Sequence, residues 1–422
     1  MRWVAALFVF VASAVGLSAA PAHAAAIPPI KHVWIITLEN ESADVTYGAG
    51  SPAHYLNNTL RKLGAFVPNY YGTGHASLDN YVAMVSGQGA NPETQGDCPF
   101  YHDVIPGTVG LQGQAAGTGC VYPTAVKTIG DQLEAKGLTW RQYAQDMGND
   151  TSREPATCAH PALNTQDNTE AATAKDNYAT RHNGFMYFHS VIDEPSCATR
   201  VVPLTPLTSD LASEAMTPNY SFISPSLCDD GHDAPCADGR PGGLVSADAF
   251  LAKWVPAIMA SPAYLHDGMI IINFDEASTS DSTACCNEQP NPLGSPMPGI
   301  SGPGGGRTGA VVLSKFTLPG SQSNVAYNHF SLLRSIEDIF GVDHLGFAGA
   351  DGLVAFGADV YSQPNGPALV TPTTVAAAPV VKARGEALPR TGGEGPALGL
   401  VGLAGALVLV GVRRRIARRD TA

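Results

Sequence analysis

The chain has 422 residues, 14% of them charged, and a formal net charge of −13. An acid excess of that size repels nucleic acid and anionic lipid headgroups at long range, which excludes both as partners held by bulk electrostatics. An anionic ligand would then need a local positive centre, and with few basic residues near the chain's polar motifs a bound divalent cation is the natural source.

In chain order, Arg2 precedes an apolar run over residues 3–17 and the small-x-small pattern Ala22-His23-Ala24. Residues 1–24 therefore read as a cleavable secretory signal; the apolar run is short for an uncleaved anchor. Residues 25–362 are long enough for one large domain with no internal linker. Short apolar runs rich in β-branched or aromatic residues predict strands over 33–38, 138–143, 220–224, 269–274 and 310–314. Their near-continuous hydrophobicity suits strands buried on both faces of a mostly parallel sheet.

Helical signals alternate with the strands. Thr128 caps a helix over 128–136 that stops before Gly137, and Ser246 opens 247–259, with Pro256 limiting its last turn. Leu332, Leu333, Ile336 and Ile339 mark one face of a helix over 329–340, closed by Gly341. The alternation predicts an α/β fold with helices on both faces of an open sheet, and ligands beyond the carboxyl ends of its strands. The irregular stretches 89–119 and 278–306 are long enough to shape or cover such a site. Eight cysteines in an exported chain favour disulfides. Sequence proximity favours Cys98 with Cys120, Cys158 with Cys197, and Cys228 with Cys236, and leaves the adjacent Cys285 and Cys286 open.

From 363 to 387 the composition turns to Pro, Ala, Val and Thr, an extended stalk. Residues 388–422 contain Leu388-Pro389-Arg390-Thr391-Gly392, an apolar stretch over 396–412, and Arg413, Arg414, Arg415, Arg418 and Arg419. This tail resembles the cell-wall sorting signal of Gram-positive surface proteins. The resemblance implies a sortase cut between Thr391 and Gly392 and transfer to peptidoglycan. A membrane span held by its basic flank is the alternative. Either places the body outside the cytoplasm.

Polar residues gather where strands end or helices begin. Glu39 and Asn40 follow the first predicted strand, where Glu39 could bind a metal and Asn40 add an uncharged oxygen or contact phosphate; capping or loop solvation is the simpler role. Ser77 precedes an apolar helical stretch, so it falls at a helix N-terminus. Free N–H groups and the dipole there favour phosphate and a serine alkoxide. Taken alone it is an N-cap; with His75 and Asn80 beside it, a nucleophile is the better reading. Asp275 and Glu276 follow the fourth predicted strand and could divide ligand and supporting duties. His232 lies among Asp229, Asp230 and Asp233, acidic neighbours that suit a protonated donor to phosphate or a leaving oxygen. His182 precedes the aromatic run 185–188.

The ordered segments Glu39-Asn40, His75 to Tyr81, His182-Asn183, Asp230 to Asp233, Phe274 to Glu276 and Tyr327 to His329 resemble the bacterial and fungal phosphoesterase family of secreted acid phosphatases and phospholipases C. That family has an alkaline-phosphatase-like fold. The resemblance implies Ser77 as nucleophile, and Glu39, Asn40, Asp275 and Glu276 as ligands of metal or phosphate. It makes His182 and His232 phosphate-site histidines. Read from the residues themselves, Asn80, His75 and Asn40 are the candidate substrate contacts, with Asn80 placed to hydrogen-bond a non-bridging phosphate oxygen. Better-known alkaline-phosphatase-like enzymes place an aspartate after the first strand and an Asp-His pair later. Glu39 and Asp275-Glu276 give a harder, oxygen-rich set that leaves metal identity and number open. The expected activity is hydrolysis of phosphate monoesters through a phosphoserine. A phospholipase C acting on lipid headgroups and a non-catalytic surface adhesin are the alternatives.

Overall fold

The strand exits at Glu39 and Asp275 lie side by side because their strands are neighbours in exact register. In the computed structural model, which describes residues 27–292 and 297–361, β1 (His32–Leu38) pairs in parallel with His32 opposite Gly268 and Leu38 opposite Phe274. The other strands of this sheet are β2 (Ala65–Val67), β3 (Trp140–Ala144), β4 (Val201–Pro203), β5 (Tyr220–Ser224), β6 (Gly268–Phe274), β7 (Ala310–Ser314) and β8 (Ser321–Gln322). Their spatial order is β8-β2-β7-β6-β1-β5-β3-β4. All run parallel except β7, which is antiparallel to both neighbours.

Every residue of β1 and β6 is buried, as their unbroken hydrophobicity predicts. Alternate residues feed two separate cores. Val33, Ile35, Met269 and Ile271 pack with α1 (Ser77–Ser86), α2 (Ile129–Ala135) and a third helix, His329–Phe340, through Leu78, Val82, Leu133, Leu332 and Ile336. Trp34, Ile36, Ile270 and Ile272 face α3 (Gly243–Met259) and α4 (Pro262–Asp267) through Leu251, Val255, Ile258 and Ala263. With α5 denoting His329–Phe340, the result is helix, sheet, helix in three layers.

Local signals worked where capping chemistry was explicit. Thr128 and Asp131 form a reciprocal capping box on α2, and Gly341 closes α5 at φ +61°. At α3 they did not. The helix begins at Gly243 rather than after Ser246, and Ser246 instead accepts from the Gly242 N–H inside the first turn. Pro256 lies within α3. The short strands β2, β4 and β8 were not predicted, since two or three residues carry no periodicity.

Disulfides join Cys98 to Cys120, Cys158 to Cys197, Cys228 to Cys236, and Cys285 to its neighbour Cys286. No helix among the described residues is long and apolar enough to cross a membrane. The predicted signal (1–24), stalk (363–387) and sorting tail (388–422) lie outside the described residues.

Candidate active site

Ser77 is the first residue of α1, with extended Ala76 in the cap position, so the serine hydroxyl is not used as the N-cap. Instead Ser77 Oγ donates to Glu39 Oε2 at 2.8 Å, while the Tyr81 hydroxyl, one turn along α1, donates to Glu39 Oε1 at 2.5 Å. The cap function is supplied from outside: Asp97 Oδ1 accepts the Leu78 N–H at 2.9 Å. Glu39 is fully buried.

Asp275 closes the neighbouring strand. Its N–H donates to the Leu38 carbonyl at 2.9 Å, and its Oδ1 accepts the Asn40 N–H at 3.0 Å. Asn40 adopts φ +56°, a conformation asparagine tolerates, and this turns the chain sharply at the strand exit. Behind Asp275, Tyr70 donates to His329 Nδ1 at 2.9 Å and His329 Nε2–H donates to the Asp275 carbonyl at 2.5 Å. Burial pushes His329 down to about 4, so the ring is neutral and acts as a strut for the Asp275 backbone.

His182 completes the centre. Its Nδ1 lies 3.1 Å from Asp230 Oδ2, its Nε2 is 3.4 Å from Glu39 Oε2, and its ring stacks on Tyr81 with centroids 5.3 Å apart and planes within 1°. Ser224 Oγ donates to the His182 carbonyl at 2.6 Å and fixes its backbone to the end of β5. The Glu39 N–H donates to the Asp230 carbonyl at 3.0 Å, and Gly231, at φ +113°, lets that loop pass close to the Glu39 backbone. Asp230 and Glu39 thus bracket the His182 ring, one facing each nitrogen.

The sequence-predicted residues are not equivalent in this geometry. Ser77, Glu39, Asp275 and His182 converge. His232 lies at the rim, its side chain 30% exposed, its Nδ1 2.8 Å from Asp233 and its ring centroid 5.9 Å from that of His182. Glu276 is engaged by His75, whose Nδ1 lies 3.0 Å from Glu276 Oε2.

Asn80, the expected substrate contact, bonds within its own loop. Its Oδ1 accepts from the Thr73 and Gly74 N–H groups and the Thr73 hydroxyl, and its Nδ2 donates to the Gly74 and Ala76 carbonyls, all within 3.2 Å. Every hydrogen-bonding valence of the amide goes to the loop before Ser77, so Asn80 braces that loop.

Four features escaped the sequence reading: Asp230 as a partner of His182, Tyr81, Asp79 and Arg181. Asp79 is buried beside Gly74 with neither carboxylate oxygen hydrogen-bonded. Arg181 is 5% exposed, 4.0 Å from Asp97 and bonded to the Glu170 carbonyl at 2.9 Å, with Glu39 and Asp230 among the charges acting on it. It is the local cation that was expected to be missing. Its adjacency to His182 in the chain was the available signal.

The electrostatics call for still more positive charge. Burial, then Asp275 and Asp230, raise Glu39 well above the usual carboxylate range; burial also raises Asp230, and pushes Asp275 up to about 6. Burial and then Asp275 raise Glu276, while burial and Arg181 hold His182 neutral. Asn40 Oδ1, Asp275 Oδ2, His75 Nε2 and His182 Nε2 are buried without hydrogen-bond partners. Carboxylates crowded this way ionise together only around a cation, and the orphaned Asn40 and Asp275 oxygens fit one. The tightest ligand grouping at this site among the described residues is Glu39, His182 and Asp230, with ligand atoms within 4.8 Å of one another. Glu276 stands beside rather than in it.

The Ser77 hydroxyl thus lies at a helix N-terminus among strand-exit carboxylates of a three-layer α/β fold. The chain belongs to the Phosphoesterase family, which it matches over residues 52–343. Glu39 and Asn40 precede the matched span. It is 21% identical to an acid phosphatase of Aspergillus fumigatus over 74% of this chain and 55% of that protein, and 22% identical to a phosphate-repressible acid phosphatase of Penicillium chrysogenum over 68% and 54%. The chain therefore spans a little over half the length of these relatives. Among solved structures it is similar to an alkaline phosphatase superfamily protein from Vibrio parahaemolyticus (12% identity, 74% of this chain and 67% of that one, TM-score 0.41). It is also similar to a lipoteichoic acid synthase from Listeria monocytogenes (11% identity, 81% and 78%, TM-score 0.41).

Proposed function

We propose that the protein is an exported phosphoesterase that hydrolyses phosphate monoesters through a phosphoserine on Ser77. The reading is carried by the Ser77 hydroxyl, at the first position of α1 and 2.8 Å from Glu39 Oε2. Glu39, Asn40 and Asp275 would hold a divalent cation, with Glu276 beside them. When bound, the cation supplies charge neutralisation at phosphate and lowers the pKa of a hydroxyl.

The residues themselves account for the proton and the geometry. Glu39 Oε2 is the nearest acceptor for the Ser77 proton, 2.8 Å from Oγ. Neutral His182, with Nε2 toward Glu39 and Nδ1 held by Asp230, can take that proton onward. Ser77 Oγ attacks phosphorus as the bond to the ester oxygen breaks, and that oxygen leaves as an alcohol with the proton that Ser77 gave up. Water then attacks the phosphoserine, and Ser77 recovers its proton as phosphate departs. The α1 N-terminus, and Arg181 with its electrostatic influence on Glu39 and Asp230, support stabilisation of phosphate charge.

The relatives' names support an acid-phosphatase-like preference over a phospholipase C. The disulfides support an extracellular site, and the tail pattern supports attachment to the wall. The test is turnover of p-nitrophenyl phosphate and of phosphatidylcholine by the full chain, with and without chelator, beside Ser77→Ala. Chelator-sensitive monoester turnover lost in Ser77→Ala is expected. Turnover that survives the substitution refutes the assignment.

A further inference from the structure

The opposite edge of the sheet, where β1 and β6 begin, holds a second cluster with the chemistry of a metal site. His32 opens β1, and Asp267, the last residue of α4, immediately precedes β6. His266 is its neighbour, and Glu214 comes from the connection between β4 and β5. His266 Nδ1 lies 3.0 Å from Glu214 Oε1 and 3.5 Å from Asp267 Oδ2. One ligand atom from each of the three falls within 4.8 Å of the others. Asp267 is 4% exposed, and its Oδ2, on the His266 side, is buried with no hydrogen-bond partner. Its other oxygen accepts from His32 Nδ1 at 2.6 Å.

Hydrogen bonding alone does not satisfy this arrangement. His266 Nδ1 carries at most one proton, and Glu214 at 3.0 Å takes it, leaving the buried Asp267 oxygen bare. A cation among the three atoms satisfies all of them at once. Zinc bonds of ~2.0–2.1 Å in tetrahedral geometry set ligand atoms about 3.3 Å apart, midway between the two separations seen here. One imidazole and two carboxylates suit zinc and similar first-row ions better than calcium, which takes oxygen ligands alone. The His32 bond to Asp267 is the outer support that ligating carboxylates generally have.

We propose that His266 Nδ1, Glu214 Oε1 and Asp267 Oδ2 form a second divalent-cation site of the zinc type, oriented by His32 and separate from the Ser77 centre. Bound there, the ion ties the β4–β5 connection to the origin of the two central strands. Its protein ligands number three, and the His266 and Glu214 side chains are 59% and 46% exposed, so water completes the coordination.

The experiment strips the full chain with chelator, reloads it with Zn2+, removes free ion by gel filtration, and counts zinc per chain in the parent, Glu214→Gln and His266→Gln. Both substituted side chains are partly exposed, so folding is preserved, as circular dichroism checks. Each variant should hold one zinc fewer than the parent, lose the zinc-dependent part of its thermal stabilisation, and keep parental monoester turnover. Equal zinc content in parent and variants, or equal zinc-dependent stabilisation, overturns the proposal.

Discussion

Replacing Asp275 by asparagine should stabilise the cation-free protein while destroying its activity. The carboxyl is fully buried, and burial pushes it up to about 6 against an ordinary 3.8, although hydrogen bonds from the Asn40 N–H and with Glu39 pull it down. Two units at ~1.4 kcal/mol each make the ionised group about 3 kcal/mol unfavourable to the fold at neutral pH. The substitution keeps the acceptor that the Asn40 N–H uses, and its new donor faces the Glu39 carboxylate.

Because the folded pKa is raised, the protonated form stabilises the parent fully below about 3.8, and this is lost as pH rises through about 6. Parent and variant should therefore melt together at pH 3.5 in chelator. By pH 7.5 the variant should melt higher, by on the order of 5 °C for a domain of this size. Saturating divalent cation should reverse the order, since only the parent gains the full linkage term of about 4 kcal/mol at a thousandfold excess over Kd. Scanning fluorimetry over pH, with and without cation, measures all of this beside p-nitrophenyl phosphate turnover. A variant no more stable than the parent at pH 7.5 in chelator, or one that retains turnover, refutes the charge-crowding argument.

Asp230→Asn changes the group that faces His182 Nδ1, so kcat should fall about a hundredfold with KM little changed. Steady-state kinetics over pH checks this, and a KM-only effect would contradict the proton role. Asn80→Ala strands the buried Thr73 and Gly74 N–H groups. It should cost about 3 kcal/mol in urea unfolding, with turnover lost because the loop that presents Ser77 relaxes. A loss of affinity for inorganic phosphate without a loss of stability would instead make Asn80 a phosphate ligand.

What the sequence made legible follows the range of the interactions. β1, β5, β6 and β7 were readable because a strand buried on both faces is a continuous apolar run, and α5 because its apolar face repeats over three turns. The antiparallel direction of β7 and the edge strands β2, β4 and β8 depend on pairing, which leaves no local pattern. At the site, Ser77, Glu39 and Asp275 were readable as polar residues where apolar elements end. Asp230 and Tyr81 were not, because their roles lie in partners 48 and 42 residues away. The bonds of Asn80 to the Thr73, Gly74 and Ala76 backbone were hidden for the same reason. Arg181 was missed because a lone arginine carries no motif, and only burial against Asp97 and Glu170 shows its purpose.

The central claim is that Ser77 is phosphorylated during turnover. Acid quench of the full chain with p-nitrophenyl phosphate and divalent cation, followed by peptide mass spectrometry, tests it most directly. The account predicts one phosphoryl group on the peptide containing Ser77, formed at a rate no slower than kcat and absent from Ser77→Ala. Full turnover with that peptide unmodified at every quench time would contradict it.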